Sequence, residues 1–325
     1  MEIINNMNPN KVKYFDLRDY ISKIKVNTNV LEHMEETNKD FDEYMQKISN
    51  YDYDDLVHYW LIQAADELVN SSKIEQHHID RQEYLKKNLQ FDTLRISHQR
   101  IHDIHDFVMD NTKHITGYRN RPVHVSYIDK MGEEHIYWHA PEPEDVRKFM
   151  DTWIDIYKTK DLSVIMSNPF LKSALIKLLF IRIHPYMDGN GRTSRVLYNI
   201  KFTDSINKAY GRKLKLCPLN ISASILINQF EYVNILDSIY FDLEHDNNEQ
   251  MNKWFNYILN MVDEQLYFHT NHLDKLDRID DAIACHRIDV DKFDQALKSI
   301  LYDIRELDSA GIEEYKQKII GTFKN

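Results

Sequence analysis

His184-Pro185-Tyr186-Met187-Asp188-Gly189-Asn190-Gly191-Arg192-Thr193-Ser194-Arg195 is the stretch on which the reading of this chain turns. It gathers an imidazole, a carboxylate, two glycines and two guanidiniums into one loop and the start of a helix. Upstream, Leu171, Ala174, Leu175, Leu178 and Leu179 recur at helical spacing, which predicts a buried helix that stops at Pro185. Downstream, Arg192 through Ala209 predicts a second helix, ended near Gly211. Gly189, Asn190 and Gly191 then lie where a helix begins, with unpaired backbone N–H groups and the positive end of the dipole facing outward. Such a place binds phosphate.

Further from this stretch the chain reads as mostly helical, since it holds only seven glycines and seven prolines and alternates β-branched residues in one place only. That place lies between Gly117 and Pro143, where Val123, Val125 and Tyr127 alternate, Asp129-Lys130-Met131-Gly132 can turn, and Ile136 and Trp138 alternate again, predicting a β-hairpin. Pro141-Glu142-Pro143-Glu144-Asp145 reads as a helix start ahead of Val146, Phe149, Met150 and Trp153. Helical segments are expected around Ser222 to Leu243 and Met251 to Tyr267, with more in the last sixty residues.

A chain of 325 residues buries one good core plus appended helices. Its net charge of −11 and lack of a basic stripe argue against a nucleic-acid or anionic-membrane binder. Cys217 and Cys285 are the only cysteines and have neither metal-type spacing nor a framework of pairs, which fits a reducing compartment. No secretory signal is visible, and the longest apolar run, Leu178 to Ile183, is interrupted by Arg182 and too short to span a bilayer. A soluble cytoplasmic protein is expected.

The pattern His-Pro-aromatic-x-Asp-Gly-Asn-Gly-Arg-x-x-Arg at 184–195 resembles the signature of the Fic family, whose members mostly transfer AMP from ATP onto a hydroxyl of another protein. Gly117-Tyr118-Arg119, the hairpin, the Pro141 region, Asn199 and the Ile221-Ser222 to Tyr232 segment stand in family-like order, so the resemblance covers about residues 70 to 260. It implies an all-α Fic helical bundle with one β-hairpin flap. The expected divisions are an N-terminal helical region at 1–95 with an inhibitory helix near 70–80, a Fic core at 96–267, and a C-terminal helical extension at 268–325.

Chemistry assigns roles within the loop. A hydroxyl attacking phosphorus must lose its proton, and histidine is the side chain whose ordinary pKa lies nearest neutrality, so His184 is the general base. Mg²⁺ favours one or two carboxylates plus phosphate oxygens, and Asp188 is the loop's only carboxylate. Gly189, Asn190 and Gly191 let backbone N–H groups approach the phosphates, and the Asn190 amide adds a donor. Arg192 and Arg195, three apart on one face, would grip the phosphate tail. The resemblance implies that Arg195 holds the γ-phosphate and that Tyr232 lines the nucleoside pocket. Gly191 also matters, because family members with Lys there bind the nucleotide reversed and pass on the terminal phosphate. Tyr186 stands where the family more often has Phe, and its hydroxyl needs a partner if buried.

Many Fic proteins are held off by a helix carrying Ser/Thr-x-x-x-Glu-Gly/Asn, whose Glu pairs with the second motif arginine. Asn70-Ser71-Ser72-Lys73-Ile74-Glu75-Gln76 resembles it, with Gln76 in place of Gly or Asn, making Ser71 and Glu75 the inhibitory pair. Ser309-Ala310-Gly311-Ile312-Glu313-Glu314 is a competing copy in poorer context. The hairpin resembles the family's flap, which would hold a target by its main chain through Val123, His124, Val125, Ile136 and Tyr137. His98, His102 and His105, with Asp106 beside them, have a spacing that can ligate zinc, but the resemblance favours a structural histidine at 105. The resulting expectation is an auto-inhibited, Mg²⁺-dependent transfer of AMP from ATP to Ser, Thr or Tyr of a protein target. Self-modification and a homodimer are left open, and neither nucleic acid nor membrane is expected as a partner. Two other readings stay open: a hydrolase in which Glu75 activates water to remove AMP, and a non-enzymatic ATP-responsive interaction module.

Overall fold

The computed structural model describes residues 12–50, 67–68, 70–75, 96–109, 117–128, 131–159, 163–211, 214 and 217–284. Gln76, Asp129, Lys130, Cys285 and the copy at 309–314 lie outside the described residues, as does most of the expected C-terminal extension. The chain divides into two compact units after Leu266, and the site lies in the first.

Helix α6 (Pro169–Ile183) is the centre of the fold, with every residue from Phe170 to Ile183 buried. A helix with apolar residues on every side has no solvent face to offer and becomes a core. Asn168 starts it by accepting from the N–H groups of Phe170 and Leu171 at 2.9 and 3.0 Å, with Pro169 at the first helical position. Leu171, Leu175, Leu178 and Leu179 are fully buried, each contributing roughly 1.5–3 kcal/mol. Helix α7 (Asn190–Tyr210) packs along α6 and ends at Gly211, whose φ of 63° is the left-handed conformation glycine adopts without strain.

Other elements close around this pair. Helices α1 (Leu17–Ser22) and α2 (Thr28–Ile48) bring Phe15 and Phe41 into aromatic clusters, Phe15 with Phe149 and Phe241, Phe41 with Phe170 and Phe202. Helix α3 (His98–Val108) runs beside α7. Helix α4 (Pro143–Lys158) starts within the expected Pro141 region, and the short α5 (Val164–Ser167) leads into α6. Two indoles tie the core: Trp153 of α4 donates to the Ile176 carbonyl at 3.0 Å, and Trp254 of the last helix donates to that of Ala174 at 3.1 Å.

The hairpin pairs β1 (His124–Ile128) with β2 (Glu134–His139), antiparallel. Val125 faces Trp138 while Ser126 faces Ile136, so Tyr137 is the extra residue of a bulge. Trp138 is buried against Arg182, whose guanidinium lies 4.7 Å from its ring, and this fastens the hairpin to α6.

The helical stretch expected around Ser222 to Leu243 holds two helices, α8 (Ile221–Ile227) and α9 (Gln229–Ser238), which meet at Asn228. The break turns Tyr232 and Leu236 inward, and the Asn228 carbonyl accepts both from the Tyr232 N–H at 3.1 Å and from the Tyr257 hydroxyl at 3.3 Å. Helix α10 (Asn248–Ala284) begins three residues before the expected Met251 and runs past the expected end at Tyr267. No helix among the described residues is long and apolar enough to cross a membrane.

Candidate active site

The loop begins with a strained turn. His184 caps α6 at φ 51° and ψ 59°, the one non-glycine residue with positive φ among those described. Such a conformation is uncommon for a residue with a Cβ and needs support from its surroundings. Arg119 supplies that support. Its guanidinium donates to the carbonyls of His184 at 2.8 Å, Arg121 at 3.1 Å and Pro141 at 2.5 Å, and its backbone N–H donates to Pro185 at 2.9 Å. Sequence reasoning gave Arg119 no role. Arg119 carries little signal in the sequence, because its acceptors are backbone carbonyls, and those of Pro141 and His184 are distant in the chain.

The His184 ring is half-buried, and Nδ1 lies 3.2 Å from the Ile181 carbonyl. A carbonyl only accepts, so Nδ1 carries the proton and Nε2 is left with its lone pair. Burial lowers the imidazole pKa to about 4, with Arg119 adding to the effect and the Ile181 contact opposing it. The free base is therefore the form present at neutral pH. The folded state resists the proton that the unfolded chain takes near 6.5, so this contribution to stability is intact above pH 6.5 and is lost as pH falls towards 4. An NMR titration of the folded protein is expected to place His184 near 4, and a midpoint near 6.5 would overturn this account of its surroundings.

Tyr186 to Asn190 form a tight turn. The Asn190 amide accepts from the Tyr186 N–H and donates to the Tyr186 carbonyl, both at 2.9 Å. Each end of the amide thus makes one bond that closes the loop. Asn190→Ala would leave two buried backbone groups unpaired, and is expected to lower stability by about 2–4 kcal/mol in denaturant unfolding. A loss under about 1 kcal/mol would mean that the clamp is not what closes the turn. Gly189 has φ 75°, and a Cβ there would stand 2.4 Å from Met109 Sδ, so only glycine fits. Asp188 remains 64% exposed, with Oδ1 accepting from the Gly189 N–H at 2.6 Å.

Helix α7 opens on this turn with Gly189 as its cap, and the Thr193 N–H is the first to bond back, to the Gly189 carbonyl at 2.9 Å. The N–H groups of Asn190, Gly191 and Arg192 therefore have no intrahelical acceptor and form the positive end of the dipole. The two arginines do not share one anion. Arg192 turns to the end of α3, donating to the Val108 carbonyl at 3.4 Å, and stands 3.6 Å from Asp188. Arg195 is 1% exposed and faces the segment at 67–75.

That segment, helical at 70–74, covers the site. Arg195 donates from Nε to the Ser71 hydroxyl at 2.6 Å, and from one terminal nitrogen to the Ser71 carbonyl at 2.8 Å and to Glu75 Oε1 at 2.9 Å. A Cβ added at Gly191 would stand 2.1 Å from the same carboxylate oxygen, so Glu75 lies directly over the start of α7. Sequence reasoning missed Glu67. It is 4% exposed and accepts from the Ser222 N–H at 2.8 Å and hydroxyl at 2.6 Å, holding the segment to α8. Its signal was present, since Glu67, Ser71 and Glu75 repeat every four residues on one helix face. Gln229 adds a bond to the Ile74 carbonyl at 3.0 Å.

Tyr232 is buried behind Arg195. Its hydroxyl accepts from Lys177 at 2.5 Å and lies beside the arginine, and its ring packs on Trp254 and Tyr257. The three histidines of α3 do not converge on one point. His98 meets the Tyr118 hydroxyl and Asp151, both at 2.7 Å, His102 meets the Tyr186 hydroxyl at 2.7 Å, and His105 donates to the Asp188 carbonyl at 3.0 Å. Among the flap residues, Val123 precedes β1, where its carbonyl accepts from the Ala140 N–H, Val125 and Tyr137 are half-buried, and His124 and Ile136 are exposed. His124 pairs with Glu134 at 2.9 Å.

An imidazole with a free nitrogen, an exposed carboxylate and a helix start backed by a buried guanidinium meet in one helix–loop–helix site of a helical domain. Residues 95–200 match the model of the Fic/DOC family, so that stretch of the chain is similar to a Fic domain. Over 82 residues it is 37% identical to Protein adenylyltransferase Fic of Nematostella vectensis, a stretch that makes up 25% of this chain and only 16% of that protein. The fold is similar to the crystal structure of a Fic family protein from Desulfovibrio desulfuricans, with a TM-score of 0.55 at 15% identity over 77% of this chain and 76% of the other.

Proposed function

We propose that this chain is an auto-inhibited protein adenylyltransferase that moves AMP from ATP to a Ser, Thr or Tyr hydroxyl of a protein, itself included. One observation carries the reading: the buried Arg195 and the open N–H groups of α7 make an anion site, and the anion in contact with it is the protein's own Glu75 at 2.9 Å. The name of the Nematostella vectensis relative supports the chemistry.

In this mechanism His184 Nε2 takes the proton from the incoming hydroxyl. That oxygen forms its bond to the α-phosphorus, the α–β bridging bond breaks, and pyrophosphate leaves. The N–H groups of Asn190, Gly191 and Arg192 stabilise negative charge on the phosphates, and Arg195 holds the tail once Glu75 withdraws. One exposed carboxylate beside a phosphate cradle fits Mg²⁺, which takes few protein ligands alongside phosphate oxygens, and Asp188 would hold it. When bound, Mg²⁺ supplies charge neutralisation on the phosphates. The hairpin offers a target its strand edge, beside the exposed Ile136.

Glu75 is 32% exposed at the mouth of the loop. This favours a second reading, in which the carboxylate orients water to remove AMP from a modified protein. The discriminating experiment offers wild type and Glu75→Gly, with Mg²⁺, ATP labelled at either the α- or the γ-phosphate. Label from the α position alone, strongest in Glu75→Gly, is the expected result. Label from the γ position would overturn the reading, and loss of label from modified protein on adding wild type would favour AMP removal.

A further inference from the structure

We propose that His102 and Tyr186 form a positioning pair that holds the catalytic loop on helix α3 and so sets where the Asp188 carboxylate stands. The proposal rests on the reading of Asp188 as the residue that takes Mg²⁺. Tyr186 is the hub of the loop. Its ring is 1% exposed, stacks on His105 at 3.7 Å and 18°, and meets His102 edge-on at 5.7 Å and 78°. Its backbone N–H and carbonyl are both held by Asn190, and its hydroxyl lies 2.7 Å from His102 Nδ1. Two residues on, the Asp188 carbonyl is held by His105, and next to it Gly189 is pressed against Met109. Asp188 thus sits on a span pinned at both ends to α3, while its own carboxylate faces solvent.

A phenylalanine at 186 would fill the same ring space and keep the stack on His105, but it would sever the link to His102. The hydroxyl therefore adds a direct bond between α3 and the loop that the ring alone cannot make. Residues that orient a metal ligand in this way commonly change metal affinity by ten-fold or more when removed, although they touch neither metal nor substrate. The pair also predicts an asymmetry. Removing only the histidine leaves a buried hydroxyl unpaired, whereas removing both partners does not. His102→Leu should therefore be worse than Tyr186→Phe, and the double variant should return to the Tyr186→Phe level. His102→Asn keeps an acceptor near Nδ1 and should stay close to the parent.

The test uses the full chain carrying Glu75→Gly as parent, and measures ATP affinity by calorimetry with and without Mg²⁺, beside the rate of AMP transfer, below every variant's melting temperature. Mg²⁺-dependent enhancement of ATP binding is expected to fall about five-fold in Tyr186→Phe and about ten-fold in His102→Leu, with rescue in the double variant. Affinity without Mg²⁺ should stay within about two-fold, because Arg195 and the start of α7 are untouched; a purely structural role would move both affinities together or neither. Equal Mg²⁺-dependent binding in Tyr186→Phe and parent, or no rescue in the double variant, would overturn the pair. If the parent shows this binding pattern but transfers no AMP, the pair stands and the transferase reading falls; if the parent binds no ATP, both fall.

Discussion

Glu75→Gly will raise the initial rate of AMP transfer by about 10- to 150-fold, the equivalent of the 1.5–3 kcal/mol typical of a hydrogen bond to a charged group. In the wild type the Arg195 guanidinium is satisfied by Ser71 and Glu75 together, and the carboxylate stands over the N–H groups that the phosphates need. A triphosphate brought beside that carboxylate meets a like charge in a largely desolvated place, so it must displace Glu75 before it is held productively. Removing the carboxylate removes the competitor and leaves the Ser71 contacts to keep Arg195 oriented. The check is the rate of α-phosphate label appearing on protein at saturating Mg²⁺. An unchanged rate, with the variant folded and binding ATP, would show that the contact is not inhibitory.

His184→Asn in that unlocked background will lower kcat by about 10²- to 10⁴-fold while ATP affinity is retained, the usual scale for losing a general base. Asparagine is the better replacement than alanine because position 184 lies in the left-handed region, which asparagine tolerates and alanine does not. The turn that Arg119 supports is thereby kept, and the loss reports on proton transfer rather than on the loop's shape. A kcat within about ten-fold of the parent would remove His184 from the chemistry.

Much of this architecture was written locally in the chain. The run from Phe170 to Ile183 carries apolar residues on every side and so became a core helix, and Asn168-Pro169 at its head and Pro185 beyond its end set its limits. Gly211 as a stop, the alternation on either side of Met131-Gly132, and the four-residue repeat of Glu67, Ser71 and Glu75 are equally local signals. The motif spacing put a base, a carboxylate and a helix start in one loop without any knowledge of what surrounds them.

What the tertiary structure decided was the choice of partners, because a side chain's head group bonds to whatever the fold brings near it. Asn190 closes the loop instead of facing outward, since the Tyr186 backbone is buried beside it. Arg192 and Arg195, three apart on one helix, turn to different elements because α3 ends against one and the 67–75 segment lies on the other. Asn228 separates α8 from α9, and the Tyr257 hydroxyl 29 residues away adds a bond to its carbonyl beside that from the Tyr232 N–H. Arg119 holds the His184 turn from 65 positions upstream. Helical spacing, capping and turn chemistry act over a few residues and survive in the sequence. The pairing of Glu75 with Arg195 acts across 120, and only packing the chain into one core brings such groups to hydrogen-bonding distance.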